Sequence, residues 1–401
     1  MRGGLPAAAG VNRARLAAVL GLLAAFGPLS IDMYLPALPA IGEALGGGME
    51  GAQATLAAFF LGMAAGQLLH GPLADRYGRR RPLFAALILY TAASALCALA
   101  TAIEALVALR LLQALGACAG MVIARAVVRD LADRFDPVRM MARLMLVMGA
   151  APILAPLLGG WVAWALGWRG VFWFLALTGL AAMLACWRGL PETLPPERRR
   201  RAPAAQVLGA YAGLLRDRRF LGTALASGFA LAGMFAYIAG SPFVFIRLHG
   251  IPPEQYGWYF GAAAAGVIGC GQLSGPLAER IGRPRLFGLA LLALALAGGA
   301  VALAGALAAG FWALYLPILA YTAALGLVLP IGTVLAIQPH GQMAGTASAL
   351  LGTLQFGLGA LLGAALSALH DGTALPMAAL IGAAGLLALA AWAGLARGGS
   401  T

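Results

Sequence analysis

The sequence predicts an all-α integral membrane protein with twelve transmembrane helices in two six-helix halves. Hydrophobic residues make up 62% of the 401 residues and charged residues only 10%, a composition that suits bilayer-spanning helices better than a soluble core. A loop segment also occurs twice, as GPLADRYGRRR at 71–81 and GPLAERIGRPR at 275–285, with eight of eleven positions identical. Because the offset of 204 residues is about half the chain, we infer two homologous halves.

The apolar segments give the positions of the twelve helices, since about 20 apolar residues cross a bilayer core of about 30 Å. We place them at 15–41, 52–74, 83–103, 105–128, 139–162, 169–189, 220–246, 256–278, 286–308, 311–336, 343–368 and 374–396. The N-terminal half then covers 1–190 and the C-terminal half 220–401. Segment 191–219 is rich in proline and arginine, so we expect a linker loop there. Its run Arg198 to Arg201 fits a solvated loop or, alternatively, a partner-binding segment.

The basic charges predict the orientation of the chain in the membrane. The net charge of +13 comes from arginine alone, because the sequence contains no lysine. The arginines cluster in alternate loops, at Arg76, Arg79, Arg80, Arg81, Arg129, Arg134, Arg139, Arg198 to Arg201, Arg216, Arg218, Arg219, Arg280, Arg283 and Arg285. By the positive-inside rule, both termini and the linker are cytoplasmic. We therefore expect no nucleic-acid partner, and anionic lipid headgroups only as a minor one.

Enzyme chemistry has no support in the sequence. The four cysteines and four histidines show neither metal-ligand spacing nor an obvious disulfide pattern, so we predict no metal and no cofactor. Phosphate-binding loops and HExxH motifs are also missing from the sequence. A channel or sensor is disfavoured because a duplicated bundle with one titratable intramembrane site suggests a two-sided carrier.

Asp32 is the one acid among fourteen that falls inside a predicted span. A charge there costs at least about 2.5–3.5 kcal/mol, so an intramembrane acid indicates function. The nearby Pro28, Pro36 and Pro39 kink the helix, which suits a span beside a water-filled cavity. We predict that Asp32 is a proton and substrate site, since burial favours the neutral carboxyl. The alternative is a structural pair or a helix-end residue.

Helix 4 supplies a second intramembrane charge, Arg110, with Gln113 three residues later on the same face. We expect Arg110 to offset the charge of a nearby carboxylate such as Asp32, which makes both residues candidates for proton and substrate coupling. A buried structural pair is the alternative.

Helix 5 contains Pro152 and Pro156, which allow the helix to bend. Its adjacent glycines, Gly159 and Gly160, permit close packing against other helices. Its segment APLLGG at 155–160 is weakly similar to GALLGA at 359–364 in helix 11, which lies 204 residues later. We therefore expect helices 5 and 11 to face each other across the seam between the halves.

The repeated loop motif predicts a latch between two orientations of the halves. Asp75 and Glu279 end helices 2 and 8, where a carboxylate stabilises the N-terminus of another helix. Gly71 and Gly78 permit a tight turn, and the flanking Arg76 and Arg79 can pair with an acid such as Asp130. The alternative is a turn that serves topology alone. Candidates for the substrate cavity, with plain packing as their alternative role, are Tyr34, Tyr237, Phe243, Gln355 and Phe356.

Several segments resemble the major facilitator superfamily over essentially the whole chain. GPLADRYGRRR resembles its motif between helices 2 and 3, and RLLQALGACAG resembles its helix 4 motif for proton coupling. APILAPLLGG resembles the helix 5 antiporter motif, although Ala155 replaces a glycine. IDMYLPALPAI, YIAGSPFVFI and GTASALLGTLQ resemble the Bcr/CflA group of drug:proton antiporters.

The resemblance implies the major facilitator fold and alternating access. It also implies export of small hydrophobic drugs across the bacterial inner membrane against inward proton flow, by a monomer that uses no cofactor but the proton. By this resemblance Asp32 binds protons, Arg110 supports coupling, and Asp75, Arg79 and Asp130 form a loop network. Export of an endogenous metabolite or amino acid by the same antiport mechanism is the alternative.

Overall fold

The computed structural model describes residues 13–131, 137–199 and 204–396, and these ranges are helical without any strand. The helices are α1 (Arg13–Asp32), α2 (Leu38–Ala44), α3 (Gly48–Tyr77), α4 (Arg80–Ala98), α5 (Ile103–Asp130), α6 (Pro137–Gly189), α7 (Ala204–Arg216), α8 (Arg218–Ser241), α9 (Pro253–Ile281), α10 (Arg283–Ala306), α11 (Phe311–Ile337), α12 (Ala344–Ala368) and α13 (Leu375–Ala391). Short 3-10 or π segments are Leu35–Ala37, Pro196–Arg198, Pro242–Leu248, Gln338–Met343 and Trp392–Ala396.

Twelve membrane crossings account for the long helices. In the described part of the chain, 10 helical segments are long and apolar enough to span a bilayer. One of them, Gly149–Gly189, breaks at Gly167, where φ is 70°, and therefore makes two crossings. The 29-residue α9 is less apolar but completes the set. The twelve-helix prediction is confirmed.

The first crossing is interrupted directly after Asp32, as its prolines led us to expect. Pro36 has no N–H, so the backbone carbonyl of Asp32 cannot receive the helical hydrogen bond from four residues later. The chain turns at Met33 and Tyr34, continues as the 3-10 segment Leu35–Ala37 and resumes as α2. Asp32 therefore lies at the C-terminal end of a helix within the membrane.

The predicted linker loop at 191–219 is wrong in part, because the segment contains the helix α7. Val207, Tyr211 and Leu214 lie on one face of α7 at helical spacing, and Leu214 is buried against Phe220 and Leu350. The many charges and prolines of the segment obscured this apolar stripe. Of the arginines used for the topology, Arg134, Arg200 and Arg201 lie outside the described residues, as do the side chains of Arg139 and Arg198.

The helices pack mainly within each half, and the halves meet along two seams. In the N-terminal half α3 packs on α5, α1 on α6, and α4 on both α5 and α6. In the C-terminal half α8 packs on α12 and α13, and α11 on α9 and α10. The seams are α3 with α12 and α6 with α9. The prediction that helices 5 and 11 face each other is therefore wrong. Helix 5, the first part of α6, faces α9, and helix 11, which is α12, faces α3.

The two ends of the bundle differ in how the halves touch. We call the end that carries the repeated loop segments 71–81 and 275–285 the motif end, and the opposite end the Asp32 end. At the Asp32 end, Arg247 forms an ion pair with Glu43, and the Ser367 hydroxyl donates a 2.8 Å hydrogen bond to the Glu50 carbonyl. Both contacts join one half to the other. At the motif end, residues 279–285 are exposed. The two halves are thus in direct contact at the Asp32 end.

Candidate functional site

Asp32 is buried and faces the opposite half of the molecule. Its side chain is 4% exposed. Its carboxylate lies close enough to the phenols of Tyr237 on α8 and Tyr256 on α9 to interact with them electrostatically. None of the ion pairs among the described residues includes Asp32. The site thus holds an acid without a cationic partner in the described part of the chain.

The two tyrosines beside Asp32 differ in their hydrogen bonds. The Tyr256 hydroxyl lies 2.7 Å from the Ser241 hydroxyl. The Tyr237 hydroxyl is buried and has no hydrogen-bond partner among the described residues, while its ring stacks on Phe260 at 5.7 Å. A buried hydroxyl without a partner is costly, so Tyr237 is available to a ligand or to the carboxyl group itself.

The sequence left open whether Arg110 contacts Asp32, and the hydrogen bonds and ion pairs of the described residues do not join the two side chains. Its guanidinium donates from Nη1 to the Gln113 Oε1 at 2.6 Å and from Nη2 to the Ser30 carbonyl at 3.0 Å. The same group lies over the ring of Phe59 at 4.3 Å. Ser30 and Asp32 are two residues apart on α1 and so point about 200° apart around the helix. Arg110 therefore anchors the backbone of α1 two residues before Asp32, and the side chains of Ser30 and Asp32 point to different sides of that helix.

Gln113 extends this contact into a polar network inside the N-terminal half. Its Nε2 donates to the Ser94 hydroxyl at 2.7 Å, and Ser94 in turn donates to the Tyr90 carbonyl. The Tyr90 hydroxyl lies 2.8 Å from that of Ser30. Sequence reasoning missed Tyr90 and Ser94, although two hydroxyl residues four apart in an apolar span were a usable signal. The network fixes α1, α4 and α5 relative to one another.

The five residues predicted to line the substrate cavity lie in different parts of the structure. Tyr34 packs its ring on Arg110 and bonds Thr55 through its hydroxyl, so it belongs to the interior of the N-terminal half. Phe243 contacts the ring of His370, 4.6 Å away. Gln355 and Phe356 lie partly exposed on α12, and Tyr237 lies beside Asp32. Of the five candidates, Tyr237 lies close enough to Asp32 to interact with it electrostatically.

An aromatic stack that the sequence did not reveal crosses the boundary between the halves. Phe60 on α3 stacks on Phe235 of α8 at 4.1 Å, and Phe235 stacks on Phe356 at 5.4 Å. We call these three rings the seam stack. It gives the centre of the molecule a flat apolar surface.

Helix 5 touches both halves through its adjacent glycines. A Cβ on Gly159 would overlap the carbonyl oxygen of Met33, at the break in α1. A Cβ on Gly160 would lie 3.2 Å from the carbonyl oxygen of Pro253, at the start of α9. Pro156 and Pro152 lie about one and two turns earlier in α6, where each removes a backbone donor. The helix is thus closely packed at its glycines and bendable beside them.

At the motif end, Arg79 is buried among carboxylates. It donates from Nε and Nη2 to Asp130 at 2.8 and 3.2 Å, and from Nη1 to Asp75 at 2.6 Å. Burial by itself would lower the pKa of Arg79, but the hydrogen bonds and charges of Asp130 and Asp75 outweigh it and raise that pKa above its usual value. Arg79 therefore stays charged and joins the ends of α3 and α5.

The carboxylate at the neighbouring helix N-terminus belongs to Glu192 and not to Asp75, which corrects the prediction. Glu192 accepts hydrogen bonds from the backbone N–H groups of Arg79 at 2.8 Å, Arg80 at 3.2 Å and Leu194 at 3.0 Å. Sequence reasoning missed this contact, because Glu192 lies more than 100 residues after α4 begins. The described members of this network lie in the N-terminal half and at the start of the segment 191–219 that follows it.

The second copy of the motif keeps the turn but has fewer contacts. Gly78 and Gly282 occupy equivalent positions, and both have a φ of 88°. Glu279 is exposed and forms no ion pair with the described residues, while Arg283 donates to the Gln338 Oε1 at 2.9 Å. In the first copy, Gly71 has open space around it and Arg76 lies over the ring of Tyr77.

Curated relatives match nearly the whole chain. The Bacillus subtilis (strain 168) protein named uncharacterized MFS-type transporter YdgK is 34% identical over 97% of this chain and 97% of its own length. A bicyclomycin resistance protein homolog from Haemophilus influenzae is 28% identical over 93% of this chain and 94% of its own. A chloramphenicol resistance protein from Pseudomonas aeruginosa is 33% identical over 83% of this chain and 78% of its own. These names agree with the resemblance to the Bcr/CflA group.

Solved structures and the family profile point the same way. The partially occluded inward-open xylose transporter XylE from E. coli superimposes with a TM-score of 0.73 at 14% identity, over 95% of this chain and 97% of that one. The profile of the Major Facilitator Superfamily matches residues 20–364. With twelve helices, two seams and these relatives, the chain is a multi-pass transporter and not an enzyme, and it belongs to the Major Facilitator Superfamily.

Proposed function

We propose that this transporter exports small hydrophobic drugs across the bacterial inner membrane in exchange for protons. The observation that carries the proposal is Asp32, a buried carboxyl that faces the other half and has no cation beside it among the described residues. Two relatives named for resistance to bicyclomycin and chloramphenicol support the drug class. The motif end, with its arginines, is cytoplasmic in this proposal.

The burial of Asp32 suggests how proton and drug exchange. A carboxyl removed from water favours its neutral form, so it takes up a proton when the Asp32 end opens to the outside. When the motif end is open, release of that proton accompanies drug binding near Tyr237 and the seam stack. The Tyr237 hydroxyl, which lacks a partner in the described structure, can donate to the newly charged carboxylate.

Arg110 acts on Asp32 through the backbone in this mechanism. Its bond to the Ser30 carbonyl fixes α1 two residues before the acid, and the break after Asp32 frees the chain beyond it. The chain before Asp32 is thus fixed in place, whereas the chain after it is free to move. The position of Asp32 can follow the relative motion of the halves.

The two seams support alternating access. The halves meet closely at the Asp32 end through Arg247, Glu43, Ser367 and Glu50, which suits a state closed to the outside. Transport requires these contacts to break as the motif end closes.

One inward proton supplies about 2.3 kcal/mol per 100 mV of membrane potential and about 1.4 kcal/mol per pH unit. That is enough for a drug gradient of about tenfold to several hundredfold.

The test is Asp32→Asn in everted membrane vesicles that carry a pH-sensitive dye. Adding chloramphenicol or bicyclomycin to energised wild-type vesicles should release protons from them, and Asp32→Asn should abolish that response. Glu104→Gln is the matched control, since Glu104 is an exposed acid near the same end of the bundle. A monodisperse gel-filtration profile establishes that the variant is folded.

Undiminished drug-dependent proton release from folded Asp32→Asn would refute the assignment of Asp32. A wild-type response to amino acids or other metabolites, with none to either drug, would refute the drug class and favour the endogenous substrate.

A further inference from the structure

A second cleft opens at the motif end, away from Asp32. It has a volume of about 610 Å³ and is lined by Arg80, Arg81, Phe84, Trp187, Glu192 and Arg199. We call it the arginine cleft. Its size falls in the usual range for small-ligand sites, about 300–1,000 Å³. Neither the transport site nor the Arg79 ion pairs use its three guanidinium groups.

The arginine cleft is positive in spite of Glu192. Both carboxylate oxygens of Glu192 are engaged by backbone N–H groups, of Arg79, Arg80 and Leu194. These amides at the start of α4 offset its charge. The Arg80 guanidinium lies over the Phe84 ring at 5.6 Å, which places a cation against the apolar wall. The cleft therefore offers at least two further arginines to an anion.

The arginine cleft lies where the membrane surface meets the bundle. It is formed by the start of α4, the last turn of α6 and the segment after α6 that carries Glu192 and Arg199, and α4 packs against α6. Trp187 is 65% exposed at the rim, as expected for an aromatic residue at the headgroup level. Farther into the membrane the two helices expose Ile88, Leu180 and Leu184. A basic recess is thus continuous with an apolar surface.

We propose that the arginine cleft binds the headgroup of an anionic phospholipid. The lipid phosphate lies between Arg81 and Arg199, and the acyl chains follow the exposed side chains of α4 and α6. Basic pockets beside membrane helices recognise such headgroups through charge and hydrogen bonds. Free phosphate shares the headgroup chemistry but would leave the apolar surface unused, so the lipid is the better match.

The experiment is native mass spectrometry of the detergent-purified full chain titrated with phosphatidylglycerol or phosphatidylcholine. The wild type should retain phosphatidylglycerol in preference to phosphatidylcholine. Arg81→Gln with Arg199→Gln should weaken phosphatidylglycerol binding by about thirtyfold, since each arginine near an anionic headgroup contributes a factor of about five. Arg285→Gln, at the repeat position equivalent to Arg81, is the control and should bind like the wild type.

Other outcomes would overturn the proposal. One is equal loss in Arg285→Gln, which would mean that overall charge holds the lipid. Another is full displacement of the lipid by an equal concentration of inorganic phosphate, which would make the free anion the ligand. If the double variant fails to fold, the exposed Arg81→Gln alone should still weaken binding by about fivefold. Trp187→Ala should weaken binding of the lipid and leave binding of inorganic phosphate unchanged.

Discussion

The two copies of the repeated loop share a backbone and differ in what surrounds it. In each copy a glycine with a φ of 88° turns the chain between two membrane helices. Around Gly78 lie Arg79, Asp130 and Glu192, which join the ends of α3, α4 and α5 to the start of the segment 191–219. Around Gly282 there is open space, and Arg283 makes one hydrogen bond to a glutamine.

Two similar sequences in one chain can therefore have different energetic roles. The first copy is a buried ionic centre, and its removal should loosen α3, α4, α5 and the end of α6 together. The second copy is a turn on the surface. In this structure the Arg79 network stabilises one half internally, and its described members make no ion pair with the other half.

Arg79→Gln should destabilise the protein by about 3–5 kcal/mol, because removing one partner of a buried pair leaves Asp130 without its cation. The equivalent Arg283→Gln should cost less than about 0.5 kcal/mol, since Arg283 is exposed. Thermal unfolding in detergent, followed by a dye that reacts with the buried Cys97, Cys118 and Cys186, measures both. Equal shifts in melting temperature for the two variants would contradict the different roles described for the two copies of the loop.

Gly78→Ala should cost more than Gly282→Ala. Both positions have a φ that side chains rarely adopt, with a strain of about 1–3 kcal/mol. Only at Gly78 would the new Cβ also approach Glu192, whose Oε2 would lie 2.6 Å away. The same thermal assay compares the pair, and a larger loss at Gly282 would contradict the packing described for the first copy.

Asp75→Asn should have a small effect of about 0.5 kcal/mol, since its side chain is 42% exposed and solvent screens its pairing with Arg79. Glu279→Gln should have none that can be measured. The Asp75→Asn effect on stability should shrink further in 1 M salt.

Drug efflux rates measured on the same variants show whether Asp75 has a role in transport as well as in stability. A loss of efflux at Asp75 far beyond the loss of stability would show that this acid acts in the motion of the halves and not only in their stability.

Much of the fold followed from the sequence because its signals are local. Apolar length gave the crossings, and Pro36 marked the break after Asp32. The helix α7 was missed because the arginines and prolines of its segment outweighed the apolar stripe of Val207, Tyr211 and Leu214. That stripe was visible, and a search at helical spacing would have found it.

The site was predictable only in its residue types. Both Arg110 and Asp32 were predicted as intramembrane charges, but the sequence left open whether they meet, and in the structure Arg110 bonds Gln113 and the Ser30 carbonyl. Glu192 was missed because its partners, the backbone amides of Arg79 and Arg80, depend on tertiary packing of distant segments. Periodicity shows which residues share a face of one helix. It does not show which helix that face meets.

The seam stack has a consequence for the speed of transport. Phe60 and Phe235 belong to different halves and lie 4.1 Å apart, so any rocking of the halves at this depth must slide or part their rings. Such aromatic pairs contribute about 0.5–1.5 kcal/mol beyond their buried area. In the proposed alternating-access cycle, parting these rings would therefore add a cost of that size to the barrier between the two states.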